Sequence, residues 1–334
     1  MRNSVSIKEI AALAGVSVAT VSRVVNQKGG YSTETEQRVK AVIRANQYQS
    51  DKRIDGMQEN GSPVVVVLVP DVLNEHFSRL IFELQTTFLQ KGYLAVVCNS
   101  NESEELEMQY LESMEHRGIS GIIAVSGAER YLQLESIPTV YVDRRLQKYT
   151  GDVPAVFVES DNQRGGYLAT KELIEQGCQR IAFVTDMLQE SCKVDRYQGY
   201  CKALMEAGIK LDPTMILQVE IVGVEAASRL IKESIHRGLQ FDGIMCTTDM
   251  LALGSILALQ EAGLKVPADV KVTGYDDISS TQFFKIPITT VHQYTDRIAK
   301  AAVDALVALM QGKHLEEMRH VIPVDLIRRE STGH

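Results

Sequence analysis

The chain has 334 residues, 45% of them hydrophobic and 23% charged, and 43 acidic against 35 basic side chains give it a net charge of -8. A composition this near the globular average buries a sizeable core, which excludes wholesale disorder, a collagen-like repeat and a small disulfide scaffold, and the length suits two domains or slightly more. The longest unbroken apolar run, Val64 to Val69, is far short of the roughly 20 residues that a membrane helix needs. The opening residues, MRNSVSIKEI, lack the apolar core of an export signal, so a soluble, cytoplasmic protein with no membrane partner is expected. Cys98, Cys178, Cys192, Cys201 and Cys246 are scattered and odd in number, which fits reduced core thiols better than disulfides or a zinc site. Neither a metal nor a cofactor is expected.

Residues 1–60 hold nine Lys or Arg and six Asp or Glu, a balance of +3 that leaves -11 on the remainder. A basic head on an acidic body confines any nucleic-acid contact to the N-terminus. Pattern carries more than charge here. Ser6-Ile-Lys-Glu9 reads as a capping box that starts a helix with Ile7, Ile10, Ala11 and Ala14 on one face. Gly15 can take the left-handed conformation that ends it, and Ser17 can cap a second helix after a turn of about three residues. Two short helices joined this tightly have the proportions of a helix-turn-helix, whose second helix enters the major groove of double-stranded DNA. A third helix is predicted from Ser32 or Thr33, with Thr33 and Glu36 as a further capping box and Val39, Val42 and Ile43 turned inward.

From residue 64, β-branched runs alternate with helical patterns: Val64–Val69, Leu94–Cys98, Gly121–Val125, Thr139–Val142, Ile181–Val184, Gly243–Thr247 and Val270–Gly274. This spacing indicates βαβ units and parallel sheets, and there are too many strands for one compact half. Two open sheets bind ligands at the carboxyl ends of their strands. Polar residues stand there: Asp71 and Asn74, Asp143-Arg144, Thr247-Thr248-Asp249, Asp276 and Gln293, with Arg196 opening a helix in Arg-Tyr-Gln-Gly. Adjacent sugar hydroxyls both donate and accept, so carboxylates and arginines suit them, and the rings of Phe77 and His76 can cover apolar C–H groups. Equally, Asp143 and Arg144 can pair with other side chains, and Asp276 can cap a helix. No phosphate-cradling loop, nucleophile elbow or zinc-binding H-E-x-x-H motif occurs, so no enzyme is expected.

The stretch IKEIAALAGVSVATVSRVVNQ (Ile7 to Gln27) resembles the headpiece of the lactose-repressor (LacI/GalR) family of bacterial transcription regulators, and the likeness continues through Tyr48 to the C-terminal VIPVDLIRRES. The resemblance implies a helical headpiece at 1–49, a hinge at 50–61, and a two-lobed sugar-binding and dimerising body at 62–334 of the periplasmic-binding-protein type. The chain of similar proteins crosses between lobes three times, which implies one lobe from 62–162 and 293–322 and another from 163–292 and 323–334.

Val18, Ala19 and Arg23 match the family's base-reading positions. The first two offer apolar contact to a thymine methyl, while Arg23 can make a bidentate contact to guanine, a phosphate contact being the alternative. The likeness sets Thr20, Ser22, Asn26, Ser32 and Thr35 against phosphates, and Ser17 belongs to the same DNA-binding set; helix capping is the competing role. Met57 stands where relatives carry the hinge leucine that wedges into the minor groove. Ser50, Asp51, Asp55 and Gly56 depart from the hinge pattern and imply a weaker hinge helix and a modestly bent operator.

In the body, Asn74, Phe77, Asp143, Arg144, Arg196, Asp276 and Gln293 match ribose-contacting positions of ribose-type regulators, while His76 replaces an aromatic and Thr248 an asparagine. The implied protein is a homodimeric repressor released from its operator by a small sugar, ribose first, with fructose or sucrose as alternatives. A regulator gated mainly by a partner phosphoprotein, and a sugar-binding module without operator control, remain open readings at this point.

Overall fold

The computed structural model describes residues 7–25, 30–45, 62–115, 118–125, 137–145, 155–186 and 190–334. Chain contacts divide the protein into two compact units, Met1–Gly61 and Ser62–His334.

The first unit contains α1 (Ile7–Ala14), α2 (Val18–Val25) and α3 (Thr33–Ala45). Apolar residues at helical spacing bring Ile10, Ala11 and Ala14 of α1 against Val21 and Val24 of α2 and Val39 of α3, with Val42 and Ile43 half-buried beside them. Gly15, at φ 66°, lets the chain leave α1. Ser17 Oγ then accepts the Thr20 N–H at 3.1 Å and starts α2. Helix α3 starts at Thr33, as expected, but Ser32 rather than a Thr33–Glu36 box caps it. Ser32 Oγ accepts the Thr35 N–H at 3.2 Å and Thr33 is already helical, because a capping oxygen must come from the residue just outside the helix. The Ser6–Glu9 box, Asn26, the hinge at 50–61 and Met57 lie outside the described residues, as do the side chains of Ile7, Ser22 and Val25.

The second unit is built on two six-stranded sheets. The first sheet comprises β1 (Val64–Val69), β2 (Leu94–Asn99), β3 (Gly121–Ala124), β4 (Thr139–Val142), β5 (Val156–Ser160) and β11 (Arg319–Ile322). Its order is β2-β1-β3-β4-β5-β11, all parallel. The second sheet comprises β6 (Ile181–Thr185), β7 (Ile216–Gln218), β8 (Gly243–Cys246), β9 (Lys271–Asp276), β10 (Thr289–Gln293) and β12 (Val324–Ile327). The order β7-β6-β8-β9-β10-β12 is parallel except for β12, which runs antiparallel to β10.

Helices cover both faces, which is why the strands are nearly continuous apolar runs. Val65, Val67 and Val69 face α4 (Glu75–Gln90) and α11 (Thr295–Met310), while Val66 and Leu68 face Leu111 of α5 (Glu104–Glu115). In the second sheet, Ala182 and Val184 pack with α8 (Val224–His236) and α9 (Asp249–Glu261). Phe183 packs on the other face with α6 (Asn162–Glu175) and α7 (Ser191–Glu206). The short α10 (Ser279–Phe283) follows β9. The chain leaves the first sheet after Ser160, returns after Gln293 and passes back between β11 and β12. Helices α6 and α7 touch backbone to backbone: a Cβ added at Gly166 would lie 2.1 Å from the Arg196 carbonyl oxygen, and one at Gly199 would lie 2.2 Å from that of Gln163. This approach fixes Arg196. It sits in the second turn of a helix that begins at Ser191, earlier than the Arg196 start expected from sequence.

Candidate functional site

In the helical unit, α2 buries Val21 and Val24 and leaves Val18, Ala19 and Arg23 exposed. An apolar seam on one side and these three side chains on the other is the arrangement that a groove-reading helix requires. Ser17 and Ser32 spend their hydroxyls locally. Each accepts a backbone N–H, and each pairs at 2.9 Å with the hydroxyl of Thr20 or Thr35 respectively. Capped N-termini present their remaining N–H groups outward, which favours an anion such as a phosphate.

In the second unit the strand order reverses beside β1 and β3 and again beside β6 and β8. These switch points are where open α/β sheets bind ligands. Several sequence-predicted residues converge there. Arg196 is buried; its Nε donates to Asn162 Oδ1 at 2.8 Å and its Nη1 to the Thr247 carbonyl at 2.6 Å, and the guanidinium lies 3.6 Å from the Tyr275 ring centre. Burial opposes its charge, but Tyr275, Cys192, Asp276 and Asp143 raise its pKa above the ordinary value. Gln293 donates to Asp276 Oδ1 at 2.7 Å and accepts from Ser160 Oγ at 2.6 Å, so the point where the chain leaves the first sheet is bonded to the end of β10. Burial pushes the Asp276 carboxyl up, against the pull of His76, Arg196 and the Gln293 hydrogen bond.

Asp143 and Asp276 have φ of 68° and 114°, a backbone state that costs a non-glycine residue about 1–3 kcal/mol and clusters at functional sites. His76 is buried, edge-on to Phe77 at 5.4 Å, and its Nδ1 has no hydrogen-bond partner among the described residues. Phe77 itself joins the core under the first sheet.

Other predicted residues have local duties. Asn74 caps α4 by accepting the His76 N–H at 2.9 Å, and Thr248 caps α9 by accepting the Leu251 N–H at 3.3 Å. Arg144 pairs with Glu190 at 2.9 Å and Glu102 at 3.2 Å.

Residues not anticipated complete the cleft. Arg145 grips Glu159 at 2.6 Å and reaches Asp195 of α7 at 2.8 Å, and its N–H donates to Ser191 Oγ at 2.7 Å. Lys193 is buried between Asp186 and Glu190. On another side, Glu75 accepts from the Ser279 N–H and hydroxyl, and Arg79 donates to the Asp277 carbonyl at 3.2 Å. Of these contacts, Arg145 to Ser191 and Asp195, Glu75 to Ser279 and Arg79 to Asp277 join the two sheet lobes. Lys193 was legible as the residue one helical turn before Arg196; Glu75 had no signal beyond its place between two predicted residues. Among the described residues no cluster of His, Cys, Asp or Glu has a metal-binding arrangement, and no helix is long and apolar enough to cross a membrane.

Residues 6–51 match the model of bacterial regulatory proteins, lacI family, and residues 170–332 match a periplasmic binding protein-like domain. The HTH-type transcriptional regulator RegA of Clostridium saccharobutylicum is 33% identical over 98% of this chain and 99% of its own length. The ribose operon repressor of Halalkalibacterium halodurans is 30% identical over 98% of this chain and 97% of its own. A solved complex of the transcriptional regulator CelR with cellobiose superposes with a TM-score of 0.74 at 26% identity, covering 98% of this chain and 99% of that one. Similar along its whole length to transcriptional regulators, with an exposed α2 suited to a DNA groove, the chain belongs to the lacI family of bacterial DNA-binding regulatory proteins.

Proposed function

We propose that this chain is a cytoplasmic, homodimeric repressor of a sugar-utilisation operon, released from its operator when a neutral sugar, D-ribose first, binds between the lobes of Ser62–His334. One observation carries the reading: Asp143, Asp276 and Gln293 at strand ends and His76 and Arg196 on neighbouring helices come together, with Asp143, His76 and Arg196 all close enough to act electrostatically on Asp276. Carboxylates and a stacked guanidinium match paired sugar hydroxyls, and the relative named a ribose operon repressor supports the pentose.

Closure gives the ligand its leverage. Among the described residues, His76 Nδ1, Thr185 Oγ1, Asp186 Oδ1 and Thr247 Oγ1 are buried without hydrogen-bond partners, each at a cost of about 1–3 kcal/mol. A hydroxyl-rich ligand that offsets part of this cost binds the closed form better than the open one, and only such a difference shifts the equilibrium. On the DNA side, Arg23 reads a guanine while Val18 and Ala19 meet thymine methyls, and two copies read twofold-related half-sites. The dimer draws on exposed apolar side chains: Phe82 and Leu89 on α4, Leu94 on the edge strand β2, and Ile221 and Phe283 beyond the second sheet.

Isothermal calorimetry of the full-length protein with D-ribose tests the effector. Saturable binding at micromolar to low millimolar affinity supports the pentose; absence of heat at two temperatures rejects it and turns the search to fructose, sucrose and disaccharides such as cellobiose.

A further inference from the structure

The helix α7 has an unusual N-cap residue. Glu190 occupies its N-cap position, yet its side chain makes no capping hydrogen bond. Ser, Thr, Asp and Asn dominate at N-caps because their short side chains reach back to the backbone. The Glu190 carboxylate instead divides itself between two cations from different lobes: Oε1 meets Arg144 Nη1 at 2.9 Å, and Oε2 meets Lys193 Nζ at 2.7 Å. The Cys192 thiol, 3.9 Å away, donates to the same Oε2. Lys193 is almost wholly buried and Arg144 nearly so.

Two desolvated cations above the N-terminus of a helix of 16 residues form the surroundings in which proteins hold phosphate. Here a side chain of the protein already fills them. The neighbouring charges agree: Glu102 takes the other side of Arg144, Asp186 the other side of Lys193, and Glu159 and Asp195 occupy Arg145. Whereas Arg144, Lys193 and Arg145 each bond to carboxylates, the Arg196 hydrogen bonds go to the Asn162 amide and the Thr247 carbonyl, with Asp143 and Asp276 close to it.

We propose that Glu190 is the specificity residue of the effector cleft, a resident anion that occupies the Arg144–Lys193 position and so rejects phosphorylated sugars in favour of neutral ones. The proposal rests on the cleft being the effector site. A sugar phosphate entering this cleft would have to displace Glu190 from both partners or lie beside it, and like charges in a desolvated site repel strongly. The regulator therefore responds to a free sugar before any kinase-type reaction has phosphorylated it.

The test is calorimetry of full-length wild type, Glu190→Ala and Glu190→Gln with D-ribose, D-ribose 5-phosphate and inorganic phosphate, together with the thermal midpoint of each protein. Wild type is expected to take D-ribose at least about a hundredfold more tightly than its 5-phosphate. In Glu190→Ala that preference narrows by about tenfold or more, and inorganic phosphate raises the thermal midpoint of the variant but not of wild type. Glu190→Gln, which keeps the shape and loses the charge, narrows the preference by a smaller factor and carries the test if the alanine variant does not fold. Equal wild-type affinity for the two sugars, or variants that discriminate as wild type does, overturns the proposal. Should wild type ignore ribose altogether, the inorganic phosphate arm still decides: phosphate binding by the variant alone upholds the role of Glu190, and its absence refutes it.

Discussion

Replacing Arg196 by methionine removes a buried guanidinium while keeping most of its apolar stem. The side chain donates at 2.8 Å to Asn162 and at 2.6 Å to the Thr247 carbonyl, and stacks 3.6 Å from the Tyr275 ring centre. Hydrogen bonds from a charged donor contribute about 1.5–3 kcal/mol each, and a desolvated cation–π contact about 2 kcal/mol. Against that sum stands the cost of burying the guanidinium, several kcal/mol, which the substitution relieves. The balance is a loss of about 3–5 kcal/mol, the range found when one member of a buried ionic network is removed. Urea unfolding of the full-length protein followed by far-ultraviolet circular dichroism reads this directly. The same change removes one of the forces that oppose burial at Asp276, so the carboxyl pKa there rises further. A stability loss below about 1 kcal/mol would refute the reasoning, because the guanidinium would then contribute no more than a surface charge.

Arg23→Ala is expected to cost about 1–3 kcal/mol of discrimination at one operator position while leaving affinity for random DNA little changed, as read by anisotropy on matched and substituted duplexes; an unchanged preference would remove Arg23 from base reading. Phe82→Glu sets a charge on an exposed apolar face of α4 and is expected to yield monomers in analytical ultracentrifugation, whereas an intact dimer would move the interface elsewhere. At Asp277, burial pushes the carboxyl up but hydrogen bonds from His292 at 2.7 Å and from Arg329 at 2.6 Å pull it below the ordinary 3.8. A lowered folded-state pKa stabilises above the unfolded value and loses its effect as the pH falls through the folded one. The stability difference between wild type and Asp277→Asn should therefore be largest at neutral pH and shrink below pH 3.8; a difference independent of pH would contradict this.

Local signals made the helical unit legible, since Ile10, Ala11, Ala14, Val21 and Val24 repeat at helical spacing and every contact lies within a few tens of residues. Strands buried on both faces, such as β1 and β6, were equally plain as short apolar runs rich in β-branched residues. The strands β5, β7, β11 and β12 did not stand out as runs: β7 is three residues long, and β11 and β12 are edge strands that take their places only once distant segments pair. Side-chain duties at strand ends were legible in kind but not in detail. A short polar residue between a strand and a helix suits both a cap and a ligand contact, and Asn74 and Thr248 turned out to cap. The start of α7 was misjudged because Glu190 is a poor capping residue by type. Its partner Arg144 comes from a different lobe, 46 positions away in sequence, and no local pattern reports a pairing of that kind.

The account joins a DNA-reading helix to a sugar-closed cleft, and one titration tests that link. A duplex selected from random sequence by the full-length protein would be labelled and its anisotropy followed as D-ribose is added. The account predicts a near-palindromic selected site that the protein holds tightly without sugar and releases as ribose saturates. Operator affinity that stays constant while calorimetry shows ribose bound would contradict it, since the cleft and the DNA-binding unit would then be uncoupled.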